Sequence, residues 1–143
     1  MKIQIVTIGE PQLSFAKEGI MEYTKRANRF SDIEFIHIKE GKNMEKNIEK
    51  TLEGTHVILM DEKGMSYTSH SLSQKLENLE QHVSMLTLYI GGPDGHNQET
   101  KEKYRETLSL SELTLPHDLA MLFTIETLYR SLSISNNHPY HRE

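Results

Sequence analysis

The sequence predicts an α/β fold in which helices cover both faces of a parallel sheet, and three observations predict it. Short β-branched or apolar runs of strand length recur along the chain, segments with apolar residues at helical spacing separate them, and glycine-bearing loops follow the strand runs. Strands that alternate with helices favour parallel pairing, because a parallel pair needs a long crossover connection.

Taken in order, Lys2–Ile8 is a β-branched run and reads as the first strand. Ser14–Arg29 follows as a helix, with Phe15, Ile20, Tyr23 and Ala27 at helical spacing. Ile33–Ile38 then alternates, Ile33, Phe35 and His37 against Glu34, Ile36 and Ile38. Glu40–Glu53 is charged but carries Met44, Ile48 and Leu52 at helical spacing. Thr55–Met60 and Met85–Ile90 read as buried strands, and between them Ser69–Leu79 has a serine-rich start and apolar Leu72, Leu76 and Leu79, the pattern of a capped amphipathic helix. From Pro116 a long apolar helical pattern runs into the cluster His138-Pro139-Tyr140-His141-Arg142-Glu143. There is no linker, internal repeat or low-complexity stretch, so residues 1–143 are read as one domain.

Composition excludes several classes. A chain of 143 residues can bury a core without metal or disulfide support. The absence of cysteine removes a disulfide framework and a thiol nucleophile, and fits a cytoplasmic location. Met1–Gly9 is too short for a signal peptide, and no apolar run reaches the ~20 residues of a membrane span. A net charge of −5 argues against a large basic surface for nucleic acid. Lys25, Arg26 and Arg29, with Arg130 and Arg142 further on, form only local basic groups and read as solvated faces.

In an α/β fold the ligand sits at the carboxyl ends of the strands. Three segments are placed for this: Asp61-Glu62-Lys63-Gly64, Gly91-Gly92-Pro93-Asp94-Gly95 and Leu108–His117. The second mixes glycines with a proline of fixed φ, which suits a tight turn and equally a backbone that approaches a ligand closely. It is neither a P-loop nor a dinucleotide fingerprint, which argues against nucleoside triphosphate hydrolysis. His117, His138 and His141 lack the cysteine or carboxylate partners of a zinc pattern, so no metal is expected. Ser109 and Ser111 precede His117 without a nucleophile elbow, and read as turn and capping residues. Met121, Leu122, Phe123, Ile125 and Leu128 read as core or subunit contact. Chain ends usually fray, so the aromatic, imidazole and guanidinium groups crowded at Tyr140, His141 and Arg142 mark the tail as the first candidate for chemistry.

The order of Lys2–Gly9, Glu22-Tyr23-Thr24-Lys25-Arg26, Leu59–Gly64, Ile90–Gly95, Leu108–His117, Tyr129-Arg130 and Pro139-Tyr140-His141-Arg142 resembles the RlmH family of bacterial ribosomal RNA methyltransferases, over nearly the whole chain. The resemblance implies a SPOUT-type sheet with a C-terminal trefoil knot and a homodimeric functional unit. It implies methyl transfer from S-adenosylmethionine to N3 of a pseudouridine in 23S large-subunit rRNA within the ribosome. Carried over by motif, the cofactor site would use Met60, Gly91, Leu110, Ser111, Glu112, Leu113, Thr114 and Leu115. The catalytic tail would be Tyr140 to orient the base, His141 to accept or relay its proton, and Arg142 to stabilise the uracil anion or hold a phosphate. The chain departs from the family pattern in the last helix, where Met121 stands for an arginine, Thr127 for a glutamine and Ser131 for an alanine. Those departures keep two alternatives open: a non-catalytic ribosome-binding or dimeric interaction protein on the same scaffold, and a SPOUT enzyme with another RNA substrate.

Overall fold

The computed structural model describes residues 1–142; Glu143, the last member of the terminal cluster, lies outside the described residues. Along the chain run β1 (Lys2–Ile8), α1 (Ser14–Ala27), β2 (Asp32–Ile38), α2 (Met44–Leu52), β3 (His56–Met60), α3 (Ser69–Glu80), β4 (Met85–Gly91), α4 (Gln98–Lys103), β5 (Thr107–Leu108) and α5 (His117–Ser135). The strands form one sheet in the order β2-β1-β4-β3-β5, and every pairing is parallel.

Strand side chains alternate between faces, and the sheet uses both. Ile3, Ile5, Ile58, Leu86, Leu88 and Ile90 face a large core closed by α1, α3 and α5. Val6, Ile8, Val57, Leu59 and Tyr89 face a smaller one, where Leu52 with Met44 and Ile48 of α2 and Tyr104 after α4 pack. The smaller face also buries Gln4 and Thr87. Gln4 Nε2 donates to the Thr51 carbonyl (2.9 Å) and to Thr87 Oγ1 (2.7 Å), so the amide is not left unpaired in the interior.

Element ends differ from the sequence expectation where side chains intervene. α1 stops at Ala27 rather than Arg29 because Asn28 turns its amide to β2, accepting from Ile33 N–H (2.9 Å) and donating to the Thr24 and Ile33 carbonyls. Phe15, expected on the apolar face of α1, is 52 % exposed beside the similarly exposed Leu13. The cap of α3 is Thr68, one residue before the serine run, in a reciprocal capping box with Ser71. α4 carries no apolar residue and β5 has two residues, so neither leaves a periodic signal.

The start of α5 is tied to the start of α1. Asp118 is buried, and its Oδ2 accepts from Gln12 N–H (2.9 Å) and Leu13 N–H (2.7 Å), two amides ahead of α1 that have no helical acceptor. At the far end α5 closes in a Schellman arrangement: Asn137 takes φ 57°, its N–H bonds the Ile134 carbonyl, and the His138 N–H bonds the Ser133 carbonyl. That reversal sends the tail back along the helix.

Asp118→Ala leaves two amides without their acceptor and is expected to lower unfolding free energy by about 2–3 kcal/mol in chemical denaturation. Asp118→Asn, which keeps an acceptor, is expected to lose less than half of that.

Candidate functional site

A cavity of ≈ 380 Å³ opens over the carboxyl ends of β3, β4 and β5. Met60, Ile90, Leu108, Leu110 and Ala120 supply apolar wall, and Asp61, Glu62, Lys63, Asp94 and Lys101 supply charge. The remaining wall is the segment between β5 and α5, through Ser111, Leu113, Thr114 and Leu115.

Two loops form this wall because they are laced together. Asp61 N–H donates to the Leu108 carbonyl (3.0 Å), and Ser109 N–H to the Met65 carbonyl (2.8 Å). Met65 N–H donates to Thr107 Oγ1 (3.2 Å), and Ser109 Oγ lies 3.0 and 3.1 Å from the Glu62 and Ser111 carbonyls. Ser111 Oγ accepts from Leu113 N–H (3.0 Å), so this serine makes a local turn. α5 itself begins after Pro116 without a side-chain cap, so neither serine caps it. Gly64 is required at the seam: a Cβ there would lie 2.8 Å from Thr107 Cβ and 3.0 Å from the Asp61 carbonyl oxygen. Below the seam Glu106 bonds His56 (2.6 Å) and Lys75 (2.9 Å); burial pushes its carboxyl up, and these two partners hold it below the usual carboxylate range.

The Gly91–Gly95 segment is both a tight turn and a cavity wall. Gly95 N–H closes it onto the Gly92 carbonyl (3.0 Å), and Gly92, Pro93, Asp94 and Gly95 line the cavity. Gly91 has φ +81°, and a Cβ at this position would meet the His96 ring at 2.9 Å. His96 lines the cavity and sits 3.0 Å from the Tyr89 carbonyl. Its ring packs on Tyr89, whose phenol burial pushes up to about 12, with the Glu45 carboxylate and Tyr104 adding to the rise. His117 also lines the cavity, with Nε2 3.1 Å from the Ile8 carbonyl.

Of the residues expected at a cofactor, Met60, Leu110, Ser111, Leu113, Thr114 and Leu115 line the cavity. Gly91 stands behind the lining against His96, and Glu112 is exposed on the same loop. His96 and Lys101 line it without having been singled out from the sequence. For His96 the one local signal was its place directly after the glycine turn.

The tail forms a second cluster. Tyr140 Oη donates to Glu126 Oε1 (2.9 Å) and lies 3.2 Å from the Tyr23 hydroxyl; burial, then these two partners, push its phenol well above the usual range. Arg130 binds Glu126 through Nε (3.1 Å), sits 4.8 Å over the Tyr140 ring, and approaches His141 Nδ1 at 3.0 Å. A guanidinium only donates, so Nδ1 of His141 is an acceptor and the neutral ring carries its proton on Nε2. Arg142 is exposed. None of Tyr140, His141 and Arg142 lines the cavity of its own chain. His117, His138 and His141 have separate surroundings, His138 lying against Phe30 and Tyr129. Among the described residues no group of three or more histidine, cysteine or acidic side chains is placed to hold a metal ion, and no helix is long and apolar enough to cross a membrane.

A parallel sheet with a cavity walled by loops at its strand ends places the chain among α/β proteins with a strand-end pocket. The family model described as "Predicted SPOUT methyltransferase" matches residues 1–141, and the chain belongs to the SPOUT methyltransferase family. It is 40% identical over 147 residues to the ribosomal RNA large subunit methyltransferase H of Deinococcus radiodurans, covering 99% of both chains. It is 34% identical over 142 residues to the protein of that name from Thermus thermophilus, again covering 99% of each. A solved structure, that of a probable methylase family protein from Haemophilus influenzae, superposes with a TM-score of 0.60 at 12% identity, covering 99% of this chain and 70% of that one; it speaks for the fold alone.

Gly64→Ala is expected to push the two cavity loops apart, lowering stability by about 1–3 kcal/mol. Amide exchange should then quicken at Met65 and Ser109, and leave the β1–β2 pairing unchanged.

Proposed function

We propose that the chain transfers a methyl group from S-adenosylmethionine to N3 of a pseudouridine in 23S large-subunit rRNA within the ribosome, working as a homodimer. The observation that carries this reading is a nucleoside-sized cavity walled by the Leu110–Leu115 segment, in a chain that matches proteins named for rRNA methylation over its full length. At ≈ 380 Å³ the cavity is within the range of about 300–1,000 Å³ usual for small-molecule sites.

The residues present fit the donor. Met60, Ile90, Leu108 and Leu110 offer an apolar slot for an adenine ring, and the bare backbone at Gly92 and Gly95 allows close approach. The carboxylates of Asp61, Glu62 and Asp94 favour a cationic ligand, while Lys101 lies 3.8 Å from Asp61 and offsets part of that charge. When bound, the donor supplies a methyl group on a sulfonium, open to attack by a deprotonated base nitrogen.

The tail supplies the rest. Arg142, exposed and cationic, suits a developing uracil anion or a phosphate. Tyr140 is held by Glu126 and Tyr23 and stays protonated at neutral pH, so it orients rather than ionises. With Nδ1 of His141 occupied by Arg130, this histidine presents an N–H donor from Nε2, and taking a proton at Nδ1 requires Arg130 to release it.

Because tail and cavity occupy different parts of one chain, a dimer in which one subunit's tail faces its partner's cavity brings both to one base. An exposed apolar ridge supports a dimer: Leu13, Phe15, Leu119 and Phe123 are 36–52 % exposed where α1 and α5 run together. The trefoil knot is part of the proposal. In its favour, β5 lies at one sheet edge beside β3, yet α5 starts over β1, where His117 meets Ile8 and Asp118 meets Leu13, so residues 109–116 must cross the strand ends. Met121 is fully buried in the main core, so at this position the chain uses packing rather than the family's arginine.

Labelled S-adenosylmethionine is expected to methylate ribosomes lacking this modification, in preference to free rRNA or tRNA. Arg142→Ala is expected to lower turnover by at least about 100-fold while calorimetric donor affinity stays within about twofold; unchanged turnover would sink the assignment. Phe123→Glu is expected to shift the protein to monomer in sedimentation and to remove transfer with it.

A further inference from the structure

His96 lies in the cavity wall yet is outside every residue the family resemblance assigns. Three contacts fix its ring. Nε2 is 3.0 Å from the Tyr89 carbonyl, and the ring packs on Tyr89 with centroids 4.7 Å apart. On its other edge Cε1 and Nδ1 fill the space beside Gly91, 2.9 and 3.0 Å from where a Cβ would stand. A carbonyl only accepts, so Nε2 carries the proton. Burial holds the ring below the usual imidazole range; the Tyr89 and Met60 carbonyls and the Asp61 carboxylate oppose this, and Lys101 adds to it. At neutral pH the ring is therefore uncharged, with its lone pair on Nδ1.

Asp61 and Lys101 act on this ring, and the other charged or titratable groups of the cavity come from neighbouring segments. Asp61, Glu62 and Lys63 follow β3, Asp94 belongs to the turn, Lys101 to α4 and His117 to α5. Lys101 and Asp61 lie 3.8 Å apart and largely offset each other, and His117 is engaged by the Ile8 carbonyl. A proton added to His96 thus places a new positive charge in the wall itself, where screening by water is weaker than at the rim.

We infer that His96 is a specificity-determining residue of the donor cavity: its neutral ring admits a sulfonium, and its protonated ring favours a neutral thioether of the same shape over that sulfonium. This rests on the reading of the cavity as the methyl-donor site. The sign follows from charge. As pH falls and the ring gains its proton, affinity for S-adenosylmethionine drops and affinity for S-adenosylhomocysteine changes little. The two ligands differ in amino-group titration because the sulfonium acidifies its own ammonium, and the comparison of the native chain with variants at His96 removes that contribution.

The test is calorimetric binding of S-adenosylmethionine and S-adenosylhomocysteine to the intact protein, for the native chain and for His96→Gln and His96→Asn. It runs from about pH 8 down to the lowest pH at which circular dichroism shows the chain folded, because burial places the His96 titration below the ordinary imidazole range. Both variants keep an amide donor for the Tyr89 carbonyl and have no charge to gain, and two of them guard against one that folds poorly. The expected result is that the Kd ratio of sulfonium to thioether rises about tenfold toward the acid end in the native chain, the scale of two like charges several ångströms apart, and stays within about twofold in the variants. A flat ratio in the native chain, or an equal rise in the variants, overturns the role of His96 and leaves the donor site standing. Binding of neither ligand at any pH removes the donor reading, and the role of His96 with it.

Discussion

The seam between the loop after β3 and the segment from β5 to α5 is the constraint on which the cavity depends. Three main-chain amides cross it, to the Leu108 and Met65 carbonyls and to Thr107 Oγ1, and Ser109 Oγ bonds backbone on both sides. With these bonds made, a stretch that has no regular structure of its own is held as a wall, and its Leu110, Ser111, Leu113, Thr114 and Leu115 face one space. The loops border a core that is already closed, because Leu108 and Met60 sit at the top of the same apolar layer as Ile58, Ile90 and Leu128. Apolar burial sets where the strands end, and hydrogen bonds set how the loops leave them.

The tail is organised by a different interaction. Glu126 gathers Arg130 and Tyr140, Arg130 then meets His141, and the rings of Tyr23, Tyr129 and Tyr140 pack around them, Tyr23 on Tyr140 edge to face and Tyr129 tilted against both. A charged network half out of water gains from hydrogen bonds to ionised groups without the full cost of burying them. Its consequence for chemistry is a tautomer: Arg130 decides that His141 accepts at Nδ1. Both the tail and the cavity thus hold histidines whose proton position is set by a neighbour, a carbonyl for His96 and a guanidinium for His141.

Elements with a strong period were legible in the sequence. The four long strands and the helices α1, α2, α3 and α5 fall where the apolar spacing places them, α1 ending two residues early where Asn28 intervenes and α2 starting at Met44, the first apolar residue of its charged segment. Met121, Ile125 and Leu128 are core as their spacing implies, while Leu122 and Phe123 are partly or largely exposed on the same helix. The loops at the strand ends were legible as the place of a cavity because an α/β fold leaves few other places for one. α4 and β5 were not, since six polar residues and a two-residue strand have no period to read.

By itself, then, the sequence determined the α/β class, the main elements, the three loops around the cavity and, through motif order, the resemblance to a methyltransferase family. Tertiary structure alone decided that β5 joins the sheet beside β3, that Asp118 serves amides more than 100 residues earlier, that His96 fits the space left by Gly91, and that Tyr140, His141 and Arg142 stand apart from the cavity of their own chain. The reason is physical. Periodicity records which face of an element is buried, a local property of neighbouring residues. Hydrogen-bond partners distant along the chain are chosen by where packed elements end, and no local pattern encodes that choice.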